Sequence, residues 1–152
     1  MKDKTLKNVI AAMLVFTTGG YTELATAHSQ SETLGKPGWA NDLYQVNCYD
    51  DGSGTGAANK LGMQVRTGTG APGLKISVRT IKGAVAMNVT DAVNNDSVYS
   101  AMNYNVGGAG LYYVSVGKTA ASTVPTPYIL QFHCTNSSNE HTGTSWVMLQ
   151  NQ

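Results

Sequence analysis

The sequence predicts an all-β protein, an antiparallel β-sandwich with seven to eight strands and one inter-strand disulfide, and three observations lead there. From position 42 onward, apolar residues fall at alternate positions in short runs broken by Gly, Asn, Asp or Pro, which is the period of half-buried strands and not of helices. Charged residues make up 12% of the chain, about half the usual share. The polar surface therefore comes from Asn, Ser, Thr, Gln and Gly, whose short side chains suit strands and turns. Finally, the two cysteines, Cys48 and Cys134, each sit in a strand-like stretch.

The chain opens with a basic segment carrying Lys2, Lys4 and Lys7, then an apolar run over residues 9–16, then the small-residue site Ala25-Thr26-Ala27. The run is too short to cross a bilayer as a helix and no stop-transfer stretch follows it, so residues 1–27 read as a cleaved secretory signal peptide. That predicts a secreted or periplasmic protein with no membrane span, its mature chain starting at His28. Residues 28–152 suit one domain with a real core. Their acidic and basic side chains balance, and no basic patch argues for nucleic acid.

Residues 28–41 contain Gly35, Pro37 and Gly38 without a sustained period and read as an N-terminal arm, with Trp39 anchoring its end. The sandwich domain then occupies residues 42–152. Its first strand sets Tyr44, Val46 and Cys48 on one side and Leu43, Gln45 and Asn47 on the other, and Asp50-Asp51-Gly52 turns the chain. Leu61, Met63 and Val65 mark a second strand, Leu74, Ile76 and Val78 a third, and Val85, Met87 and Val89 a fourth. A weaker fifth covers residues 98–102. Residues 111–116 give a sixth that is apolar on both sides and hence central. Tyr128, Leu130, Phe132 and Cys134 give a seventh, and residues 145–149, with Trp146, an eighth. So many short strands cannot bury their apolar faces as one flat sheet, which requires two packed sheets or a closed barrel. Counting by twos from Cys48 reaches Val46 and Tyr44, and from Cys134 reaches Phe132, Leu130 and Tyr128. Both sulfurs thus lie on apolar faces and, after export, are expected to pair.

Three segments resemble the bacterial pre-peptidase C-terminal domains: Asp42-Leu43-Tyr44-Gln45-Val46, Gly110-Leu111-Tyr112-Tyr113-Val114-Ser115-Val116 and Tyr128-Ile129-Leu130-Gln131-Phe132. The resemblance covers residues 42–135. It implies a small secreted jelly-roll β-sandwich acting as an accessory or substrate-adhesion module.

His28 carries the sharpest candidate chemistry. Cleavage after Ala27 would give one residue both a free α-amine and an imidazole, which together chelate a metal ion, and copper(II) most favours such nitrogen donors. His133, of opposite parity to Cys134 and hence outward, and His141, in the loop after the seventh strand, could complete that copper site. Asp50, Asp51, Ser53 and Thr55 offer oxygen donors for calcium, although the spacing fails the EF-hand pattern and a plain Asp-Gly turn explains it. Gly68-Thr69-Gly70-Ala71-Pro72-Gly73 matches G-x-G-x-x-G as text, yet a strand follows it, so it reads as a hairpin loop and not a phosphate cradle. Asn88-Val89-Thr90 and Asn136-Ser137-Ser138 fit the glycosylation pattern. Tyr99, Tyr104, Tyr112 and Tyr113 could line a carbohydrate or peptide surface, although alternation puts about half of them in the core. No G-x-S-x-G elbow is present and no catalytic residue is assigned. The expectation is a non-enzymatic binding or structural module whose partner is an extracellular or periplasmic protein or polysaccharide. The alternative is a copper-binding protein using His28 with His133 or His141.

Overall fold

The computed structural model describes residues 28–68 and 74–152; the signal-peptide reading of residues 1–27 lies outside them. The described residues form nine strands and no helix: β1 (His28–Leu34), β2 (Asn41–Tyr49), β3 (Lys60–Thr67), β4 (Ile76–Lys82), β5 (Val85–Thr90), β6 (Asn103–Asn105), β7 (Gly110–Lys118), β8 (Thr126–Thr135) and β9 (Gly143–Gln150). They make two antiparallel sheets, one of four strands in the order β1-β8-β3-β6 and one of five in the order β5-β4-β7-β2-β9. Strand β1 pairs with β8, β2 with β7, β3 with β6 and β4 with β5. That nesting is a long hairpin rolled onto itself, the jelly-roll topology. Strand β9 adds to the edge that β2 would otherwise leave open.

Alternation fixes which side of each strand faces inward. Asp42, Tyr44, Val46 and Cys48 of β2 are buried, as are Thr126, Tyr128, Leu130, Phe132 and Cys134 of β8. With Tyr112, Val114 and Val116 of β7 and Leu61, Met63 and Val65 of β3 they fill one core between the sheets. The Cys48–Cys134 disulfide crosses that core, joining β2 of one sheet to β8 of the other with Cα atoms 5.5 Å apart. A buried polar network runs parallel to it. The Tyr128 hydroxyl donates to Asp42 Oδ2 at 2.7 Å, the Tyr44 and Tyr128 hydroxyls lie 2.6 Å apart, and Gln152 N donates to Asp42 Oδ1 at 2.7 Å.

Four expectations are corrected. Residues 28–41 are not a plain arm: β1 pairs with β8 over its whole length, from His28 opposite Phe132 to Leu34 opposite Thr126. Its inward positions include Gln30 and Glu32 because β1 lies at the sandwich edge, where inward side chains still meet water, so no apolar period marks it. Trp39 anchors nothing and is 74% exposed. Residues 98–102 form no strand; the pairing falls on the three residues of β6, where Asn105 is buried and donates to Thr80 Oγ1 at 2.8 Å. The Gly-rich stretch is no hairpin loop either, because β3 and β4 belong to different sheets. Gly68 N donates to Pro127 O at 2.7 Å, while Thr69 to Gly73 lie outside the described residues.

Strand β7 is central, third of the five strands in its sheet. Its apolar residues on the other side, Leu111 and Tyr113, are nevertheless about half exposed, since none of the described residues forms a layer over that face.

Two partly exposed lysines cap the ends of the roll by binding backbone carbonyls. Lys118 Nζ donates to the carbonyls of Gly35 at 2.6 Å, Val124 at 2.9 Å and Ser122 at 3.3 Å, tying the β1–β2 connection to the β7–β8 connection. Lys82 Nζ bonds the carbonyls of Gly108 and Ala109 and lies 4.4 Å from the Tyr112 ring centroid.

Candidate functional site

The structure brings two of the three histidines together. His133 projects from the outer face of β8, and His141 bridges to Thr135 two residues on, so the two side chains are diagonal neighbours on one face. Their rings stack with centroids 4.7 Å apart and planes 29° apart. His133 is half-buried, and its Nδ1 is buried with no hydrogen-bond partner. Burial first, then the charges of His141 and His28, push its pKa down to about 4, so at neutral pH the ring is an uncharged donor of the kind that metals bind.

His28 takes the other side of the sheet. It pairs with Phe132, the residue before His133, and cross-strand partners share a face. Its ring lies parallel to that of Phe132 at 6.0 Å, and Phe132 in turn meets Trp146 edge-on at 6.1 Å. Among the described residues, no group of three or more His, Cys, Asp or Glu side chains is arranged to hold a metal ion. The near-parallel stack of His133 and His141 also keeps their in-plane lone pairs from meeting at one point without ring rotation.

The remaining candidates divide between structural work and open surface. Asp50 Oδ1 accepts from Gly52 N at 2.9 Å and Asp51 Oδ1 from Ser53 N at 3.0 Å, so both carboxylates are turned onto their own backbone. Gly52 and Gly54 hold φ values of 76° and 92°, which side chains resist, and the segment is the plain turn. Asn136 is spent in the same way: its Oδ1 accepts from Ser138 N and Glu140 N, and its Nδ2 donates to Thr55 O at 2.8 Å. Asn88, by contrast, is exposed. Of the four tyrosines, Tyr112 is fully buried and Tyr113 is 46% exposed. Tyr104 and Tyr99 carry Lys60 and Arg66 over their rings at 4.5 and 5.2 Å. Tyr104 lies flat over Gly62, where a Cβ would come within 2.8 Å of its ring.

Sequence reasoning missed the outer face of the five-stranded sheet as a unit. Ile81 pairs with Tyr113, Tyr113 with Gln45, and Gln45 with Val147, so one row of side chains crosses four strands with no charge in it. Beside that row, Arg79 pairs with Asn88 and with Ser115, and Ser115 with Leu43, giving a second row that carries one cation. The signal was present in the odd-numbered positions of the first strand and of residues 111–117, but only the register reveals which of them become neighbours. Comparison with protein-family models, with curated proteins and with solved structures finds no match for this chain.

Proposed function

We propose that this chain is an exported, disulfide-stapled jelly-roll module that binds a partner or builds a surface outside the cytoplasm, without a catalytic centre of its own. The observation that carries the reading is the Cys48–Cys134 bond across the two sheets, because such bonds persist in oxidising compartments. Two further features support it. The buried acidic side chains are committed to the scaffold, Asp42 to Tyr128 and Asp91 to Thr67 N and Oγ1 at 2.7 and 2.8 Å. The resemblance to pre-peptidase C-terminal domains implies the same accessory role. Cell fractionation with intact-mass and thiol measurements tests it: the exported fraction should hold a chain lacking residues 1–27 with no free thiol. A full-length chain retained in the cytoplasm with two free thiols would refute it.

A second reading, copper binding through His28 with His133 or His141, is favoured by one observation, the 4.7 Å pairing of two histidines beside a buried Nδ1 without a partner. It requires the His28 end of the edge strand β1 to turn to the outer face of the sheet, where His133 and His141 lie. Copper titration of the chain starting at His28, against one extended by a single residue, should show a marked loss of affinity in the extended form; equal affinities discard the site.

A further inference from the structure

On the outer face of the five-stranded sheet, between the row of Arg79, Asn88 and Ser115 and the next row of Ser77, Gly117 and Asn41, lies a shallow groove of about 190 Å³ lined by those six residues, with Lys118 at one end. We propose that this groove binds the carboxylate of an acidic sugar, making a uronate-containing polysaccharide the partner of the module; the proposal rests on the binding-module reading above.

Hydrogen-bond polarity gives the ligand its charge. Thr90 Oγ1 donates to Ser77 Oγ at 3.1 Å, and Ser77 Oγ passes its own proton to Asn88 Oδ1 at 2.7 Å. On the opposite wall, Ser115 Oγ donates to Asn41 Oδ1 at 2.6 Å. Each amide oxygen thus already accepts one hydroxyl proton, which turns it toward its serine and leaves the amide nitrogens of Asn88 and Asn41 as donors. Arg79 is exposed and makes no hydrogen bond or ion pair with the described residues. No Asp or Glu lines the groove. A cleft that presents amide donors and a guanidinium, with no carboxylate in its lining, is complementary to a carboxylate.

The surroundings favour a sugar over a peptide. Tyr113 lies two residues along β7 from Ser115 on the same face, roughly 7 Å away, and is 46% exposed with its hydroxyl within 3.4 Å of Gln45 Nε2. It thus offers an apolar ring face beside the charge, the pairing that a sugar ring with its carboxylate requires. Gly117 keeps the floor low, since a Cβ there would stand 3.4 Å from Asn41 Oδ1. Strands β4, β7 and β2, which form the floor, each have neighbours on both sides, so their backbone groups are used in the sheet and do not offer the main-chain bonds by which sheets capture peptides; β5 contributes only Asn88 at the rim. The groove falls below the ~300–1,000 Å³ of drug-sized pockets, which fits one ring of a polymer lying across the face.

The test is titration of the disulfide-intact protein, followed by NMR or calorimetry, with trigalacturonate, its methyl ester, cellotriose and a blocked peptide ending in a free carboxylate. Trigalacturonate should bind, and the ester and cellotriose should bind at least about tenfold more weakly. Arg79→Gln should weaken the acid form by about tenfold to a hundredfold, the loss of one charge-assisted contact. Tyr113→Ala should weaken it with no change in the circular dichroism spectrum. Absence of trigalacturonate binding overturns the proposal, as does equal affinity for the ester, or a peptide bound as tightly with the same Arg79 dependence. Uronate binding that survives Arg79→Gln overturns the groove while sparing the binding-module reading. Failure of export, read from the leader and the thiols, overturns the module reading and leaves the affinity of the groove still measurable.

Discussion

Replacing Tyr128 with Phe removes one oxygen atom from the centre of the sandwich and should cost far more than its size suggests. Asp42 is fully buried, and its Oδ2 accepts from the Tyr128 hydroxyl at 2.7 Å. The same hydroxyl lies 2.6 Å from that of Tyr44. Losing a hydrogen bond to a carboxylate costs about 1.5–3 kcal/mol, with the upper end applying where the groups left behind are buried. Tyr128→Phe leaves Asp42 with Gln152 N alone and the Tyr44 hydroxyl without its partner, for a loss of about 3 kcal/mol, or roughly 12 °C in Tm for a domain of this size. Tyr44→Phe leaves the Tyr128–Asp42 bond in place and should cost about 1 kcal/mol. The decisive measurement is the double variant in non-reducing urea denaturation with an unchanged m-value. Once Tyr128 is Phe, the Tyr44 hydroxyl has lost its partner, so deleting it too should cost nothing further or restore some stability. Equal losses for the two single variants, or strict additivity in the double, would refute the network as drawn.

The same network predicts alkaline lability. Burial raises the Tyr44 phenol to about 12 and Tyr128 further still. The unfolded chain therefore gives up these protons first, and stability should fall above pH 10 by up to about 1.4 kcal/mol per pH unit for each tyrosine, seen as phenolate absorbance that appears only with unfolding. At the acid side, His133 titrates at about 4 when folded, against 6.5 when free. Its contribution is whole above pH 6.5 and drains away as pH falls toward 4, about 1–2 kcal/mol after discounting for its partial exposure; His133→Gln should flatten that slope in a pH series of denaturation curves. Replacing both Cys48 and Cys134 with Ser opens a loop with a sequence separation of 86, for which chain entropy gives about 4.6 kcal/mol and measured losses are nearer 2–4 kcal/mol, readable as a lower urea midpoint. Lys118→Met should cost about 1 kcal/mol, since the side chain is partly exposed, and speed proteolysis in residues 119–125, because among the described residues the ammonium ties their carbonyls to Gly35.

The alternation of Tyr44, Val46 and Cys48, and of Tyr128, Leu130, Phe132 and Cys134, determined the inward faces, the two-sheet architecture and the disulfide, because side-chain direction in a strand is a local property with period two. Counting one step further back reaches Asp42, so even the buried carboxylate was marked by its parity. Pairing is not local. Strand β1 carries Gln30 and Glu32 inward, and nothing within seven residues says that β8 will accept it at its edge. The placement of His28 and His133 on opposite faces of β8, and of His141 against His133, follows from that pairing and was settled only in three dimensions. The same holds for the carbonyl cage around Lys118 and for the meeting of Arg79 with Asn88 and Ser115. Each joins residues far apart in the chain, whose proximity is fixed by how the long hairpin rolls up and not by any property of the residues alone.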